Sequence, residues 1–177
     1  MSGAYYLQLG GGVAIPTPFP IRGLPGVTPI FLGPGSYEVD NGGGGADVGP
    51  FTANLTVPSP GFVWTNADAD LTVTLASGVD IQWSGGDPTT NVEIQGTVAT
   101  PTAAAAFTCI VPNNGEFFVT SAVLSMLPAT PTGGGPGSAS SSLLSVSNSS
   151  MANFSASGIS LGILTYEAGY TRMVVYQ

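Results

Sequence analysis

From Ser36 onward the chain is a succession of short runs in which apolar and polar residues alternate, bounded every few positions by Gly, Pro, Asn or Asp. Side chains two apart share a face of an extended strand, so such runs predict half-buried β-strands. "SYEVD" and "FTANLTV" are two of them, joined by the loop "NGGGGADVGP", with Phe51, Ala53, Leu55 and Val57 facing inward. "LTVTL", "VDIQWS", "NVEIQG", "AFTCIV" and "EFFVT" follow, and "LLSVSNSS", "ISLGILTY" and "TRMVVYQ" close the series. In "VDIQWS" the residues Val79, Ile81 and Trp83 fall on one side and Asp80, Gln82 and Ser84 on the other, which makes Trp83 a core residue.

The intervening residues predict how the strands connect. "GGDPTT" between Ser84 and Asn91 predicts a hairpin that sets Gln82 opposite Glu93 and Asp80 opposite Gln95. "PNNG" before Glu116 predicts another, because Asn-Gly accepts the positive φ of tight turns. A third is expected around "EAGY". Helical spacing is confined to "TSAVLSML", a turn or two capped by Thr120 or Ser121, stopped by Pro128 and packing Leu124 and Leu127 on a sheet. Residues 129–142, "ATPTGGGPGSASSS", predict a flexible Gly/Ser-rich loop. Residues 1–35 hold much of the proline and little alternation, which predicts an extended Pro/Gly-rich segment with at most an edge strand at Tyr5 to Leu9. The expected organisation is therefore an N-terminal extension followed by an all-β domain over 36–177, an antiparallel sandwich of about seven to nine strands.

Composition narrows the chemistry. Apolar residues make up 43% of the 177, enough for a real core, while only 7% are charged against roughly 25% in an ordinary domain. Ten acids face two arginines, Arg22 and Arg172, and the net charge of -8 repels a phosphate backbone, so nucleic acid is not expected as a partner. Histidine and lysine are absent, which removes Ser-His-Asp and Cys-His catalysis, Schiff-base chemistry and imidazole metal sites. The single cysteine, Cys109, shares a face with Phe107 and Val111 and reads as a small apolar side chain. No apolar run approaches the ~18 residues of a membrane span, and "MSGAYYLQLGGG" lacks the basic and apolar regions of a secretion signal.

Taken together, "GSYEVDNGGGGADVGPFTANLTVP", "FVWTN", "GVDIQWSGGDP", "AFTCIVP" and "LLSVSNSSMANFSASGISLGILTY" resemble the C-terminal β-rich module of large secreted acidobacterial proteins of unknown function. The resemblance spans roughly Gly33 to Gln177. It implies an exported protein, an immunoglobulin-like β-sandwich and no known enzymatic activity, and it carries over no catalytic residues. It also implies that the chain is a fragment, a processed product or a short relative.

Two candidate sites stand out. Asn66, Asp68 and Asp70 in "NADAD" place oxygen ligands at every other position, as a calcium ion would use, with Asp87 in reach only if the loops converge. Trp64, Tyr166, Tyr170 and Tyr176 are candidates for stacking on a carbohydrate, provided that their rings are exposed. Paired carboxylates are the remaining acid/base apparatus, and Glu38, Asp80, Glu93 and Glu116 fall on the wetted side of their strands. The expected function is a non-enzymatic structural or adhesive module, secreted or at the cell surface, whose partners are copies of itself or other surface proteins. Strand addition is the expected mode of self-association, with "AYYLQL" or the stretch Val13 to Leu32 completing a neighbour's sheet in a filament. The alternative is a carbohydrate-binding sandwich with polysaccharide as partner. No cofactor other than calcium is expected.

Overall fold

The computed structural model describes residues 32–100, 102–131 and 141–177. The chain divides into two units, Met1–Gly33 and Pro34–Gln177, and the described strands all belong to the second. The edge strand expected at Tyr5 to Leu9 and the stretch Val13 to Leu32, but for its last residue, lie outside the described residues, as does 132–140 of the Gly/Ser-rich loop.

The architecture is all-β and sandwich-like, built mainly from antiparallel sheets, as the alternation predicts. A four-stranded sheet holds β10 (Gly162–Met173), β9 (Ser141–Phe154), β6 (Asn91–Ala99) and β7 (Ala104–Pro112), in that order. A three-stranded sheet holds β3 (Val63–Trp64), β5 (Val79–Ser84) and β8 (Glu116–Val119). The inward residues of both sheets form one core: Val79, Ile81, Trp83 and Val119 from the smaller, and Val92, Ile94, Phe107, Val111, Leu144 and Val146 from the larger. Every second residue of β5 and of the first half of β6 is buried, which is the half-buried pattern the sequence shows.

A separate ribbon pairs β1 (Gly35–Asp40) with β2 (Thr52–Val57), and β2 packs on the far ends of β9 and β10. Ala53, Leu55 and Val57 are its buried face, and Phe51 stacks on Phe154 with ring centres 4.3 Å apart. The C-terminal β11 (Val175–Tyr176) runs parallel to β4 (Thr72–Val73) and carries Tyr176 fully into the core, where its hydroxyl donates to the Leu143 carbonyl at 3.0 Å. Gly96 in β6 makes room for this. A Cβ there would run into the Phe107 ring and the Tyr176 hydroxyl, so the ring of the paired residue lies over bare backbone.

The single short helix, α1 (Ser121–Leu124), sits where expected and buries Leu124, with Leu127 buried just after it. Thr120 occupies the N-cap position without a capping side-chain bond.

Three predicted connections are corrected. β5 and β6 do not pair: β5 lies between β3 and β8, and β6 between β7 and β9, so "GGDPTT" carries the chain from one sheet to the other. "PNNG" does the same between β7 and β8, so Asn-Gly makes a corner and not a hairpin. "EAGY" is strand throughout, with Gly169 opposite Ser147, and the hairpin joins β9 to β10 through residues 155–161. Each of these loops holds the turn residues of a hairpin. Which strand lies next to which is decided by side chains far away in sequence.

Candidate functional site

The "GGDPTT" crossing is held by two asparagines from other strands. Gly85 and Gly86 have φ of +72° and +80°, and a Cβ on Gly85 would meet the Gly61 and Pro60 carbonyls, so glycine is needed where the loop passes that turn. Asn148, buried in β9, accepts from the Asp87 amide at 2.7 Å through Oδ1 and donates to Thr90 Oγ1 at 2.9 Å and the Asn91 carbonyl at 3.0 Å. Asn113, just after β7, accepts from Trp83 Nε1 at 2.7 Å and donates to the carbonyls of Gly85 and Asp87. Asp87 closes the loop on itself: Oδ1 accepts from the amide and hydroxyl of Thr89, and Oδ2 from the hydroxyl of buried Ser150. These donors, Thr89 first, hold the Asp87 carboxyl below its usual range against the opposing pull of burial. Trp83 is core, and Asp87 fastens a corner.

The residues proposed as calcium ligands have three different roles. The amide of Asn66 is a staple: Oδ1 accepts from Trp64 Nε1 and from the Gln82 amide, both at 2.9 Å, and Nδ2 donates to the Asp80 carbonyl at 2.6 Å. Asp68 is 88% exposed and pairs with Arg172 at 2.8 Å. Asp70 lies in a 3-10 turn over Ala69–Leu71, buried, with Oδ2 lacking a hydrogen-bond partner. Burial pushes Asp70 up to about 6; the Asp80 carboxylate adds to the rise, and the indole N–H of Trp64, whose own bond goes to Asn66, opposes it. Among the described residues no three His, Cys, Asp or Glu side chains converge as metal ligands.

The four aromatic candidates turn inward. Trp64 and Tyr176 are buried and offer no ring face to a sugar, because both lie at inward positions of strands that cover the core. Tyr170 is half-buried, packs its ring 6.3 Å from that of Phe62 and donates to the Phe62 carbonyl. Tyr166 is half-buried as well, and burial first, then the phenols of Tyr170 and Tyr37, raise its phenol above the usual value. Cys109 is half-buried against the core, and burial pushes its thiol up.

The surface features lie on the four-stranded sheet, the first on its outer side and the second at one end of its strands. A shallow trough of about 370 Å³ runs between Glu93 and Glu167, over Ser147 and Ser149, with Ile110 and Met151 at its ends. The two carboxylates stand on strands separated by β9, Glu93 opposite Ser147 and Glu167 opposite Ser149, so two strand spacings and a two-residue stagger set them on the order of 12 Å apart. A second open hollow, also about 370 Å³, is lined by Thr97, Val98, Ala99 and the alanines Ala104, Ala105 and Ala106 at the end of β6 and β7. β7 itself has a strand neighbour on one side only among the described residues, and its nine residues, "AAAFTCIVP", carry no charge.

Three functional side chains have no counterpart in the strand pattern: Asn113, Asn148 and Ser150. A signal for two of them exists, since Leu144, Val146, Asn148 and Ser150 occupy successive inward positions and a polar residue there needs a partner. No family model, curated protein or solved structure matches the chain.

Proposed function

We propose that the protein is a non-enzymatic structural or adhesive module of an exported or cell-surface bacterial protein, an immunoglobulin-like β-sandwich that joins copies of itself by strand addition. The observation that carries this reading is the edge of β7 that has no strand neighbour among the described residues, a long strand without the lysine, charge or internal proline that commonly keeps sheet edges from pairing. The acids support it from the other side. Asp87 is engaged in bonds that fasten the loop between β5 and β6, and Asp68 pairs with Arg172 at the surface. The block resemblance over Gly33 to Gln177 supports the exported setting.

Electron microscopy and sedimentation of the full chain test the reading. Assemblies that grow with concentration are expected, up to a filament. A chain that stays a single domain at every concentration contradicts it.

A further inference from the structure

We infer that β7 pairs with β7 of a second copy about a two-fold axis at Thr108, joining two four-stranded sheets into one continuous sheet; this rests on the strand-addition reading above. Three observations lead to this edge and this partner.

The first is charge. Like-charged chains of net charge -8 repel wherever acids face each other. Of the longer strands open on one side among the described residues, β1 carries Glu38 and Asp40, β8 carries Glu116 and β10 carries Glu167 with Arg172. β2 and β7 carry none, and β7 is the longer, at nine residues against six. A second copy therefore meets no carboxylate on the strand it joins.

The second is register. In a two-fold antiparallel pair a residue must face one of the same parity, or inward side chains would be set against outward ones. Centring on Thr108 uses all nine residues. It sets Phe107 against Cys109, Ala106 against Ile110 and Ala105 against Val111, so that each bulky side chain faces a small one. No other centre gives both full overlap and this complementarity.

The third is shape. The same register brings the exposed Ile110 of one copy beside Ala106 of the other, one of the walls of the alanine-lined hollow. Ile110 is 67% exposed in the single chain, and Ala105 and Cys109 are half-buried although they lean on the core. Pairing covers all three. Pro112, which has no N–H to give, falls at the strand end, where its absence costs least.

The test uses the full chain and four variants. Sedimentation velocity across concentration reads association of the wild type, of Thr108→Lys and of Thr171→Lys, the last placing the same charge on the outer face of the opposite edge strand. Thr108→Lys sets two lysines opposite each other at the axis and weakens association about tenfold or more, while Thr171→Lys leaves it unchanged. A Thr108→Cys, Cys109→Ser chain, with its only thiol at the axis, oxidises to a covalent dimer. Association that survives Thr108→Lys, with no cross-link at position 108, overturns the β7 pairing and leaves the strand-addition reading standing. Association lost only on deleting residues 1–32 also overturns it and gives the donor role to the N-terminal segment. A wild-type chain that never associates overturns both.

Discussion

Two aspartates in loops of the same unit meet burial in opposite ways. Asp87, at the crossing between β5 and β6, accepts three hydrogen bonds, from the amide and hydroxyl of Thr89 and the hydroxyl of Ser150, and is held ionised. Asp70, in the turn between β3 and β4, is buried with one oxygen unpartnered and a second carboxylate, Asp80, nearby. The difference is one of supply. The first loop is met by strand β9 and by the residue after β7, which bring polar side chains to it; in the second, the indole N–H of Trp64 near Asp70 is already given to Asn66. Of the buried polar side chains Asp70, Ser142, Asn148 and Ser150, only Asp70 keeps an oxygen without a partner.

The contrast can be broken most forcefully at its best-connected point. Asn148→Ala strips partners from the Asp87 amide, Thr90 and the Asn91 carbonyl at once, and is expected to cost about 3–4 kcal/mol in denaturant unfolding. Asp70→Asn works in the other direction. An acid with a folded pKa of about 6 against a usual 3.8 keeps its proton in the folded state while the unfolded chain loses it. Stability therefore falls as pH rises from about 4 to about 6 and stays lowered above that, by up to about 2–3 kcal/mol. The asparagine variant should gain that amount at pH 8, gain almost nothing at pH 3.5, and lose the slope between.

Asp87→Asn sharpens the comparison by carrying the opposite sign. Its lowered carboxyl stabilises the fold above the usual aspartate range and ceases to do so as pH falls through its folded value. The variant is expected to cost about 1–2 kcal/mol at pH 7 and less at pH 2, read by the same denaturation series. Asp68→Asn completes the scale. The pair with Arg172 is solvent-exposed on the aspartate side, and its loss should cost under about 0.5 kcal/mol at moderate salt.

The sequence carries the faces of this molecule better than its neighbours. Alternation places Val79, Ile81, Trp83, Ala53, Leu55 and Val57 in the interior, and all are buried. It also places the antiparallel pair β1 and β2 about its glycine loop. It does not tell that β5 and β6 belong to different sheets, because Gly-Gly-Asp-Pro fits a hairpin as well as a crossing. The crossing is held by Asn148, 61 residues beyond the amide it binds. Likewise "EAGY" has turn composition, yet β9 gives it a partner along its whole length and the strand runs on. The spacing of Asn66, Asp68 and Asp70 is visible in the chain, but the competition for their oxygens is not. One serves an indole and a backbone amide, one an arginine, and one is buried with an oxygen unpartnered. Thr130 shows the same limit on a small scale. It falls in a stretch of loop composition, and it is tied to Tyr176 and Ser142.

Inside, the polar groups are largely paired; outside, the long uncharged strand β7 has a strand neighbour on one side only among the described residues. Amide hydrogen exchange at low and high protein concentration tests this most directly. The amides of β7 that point away from β6 should exchange several-fold more slowly in the concentrated sample, while those of 162–173 on the opposite edge keep their rates. Equal exchange of those β7 amides at both concentrations would contradict the account.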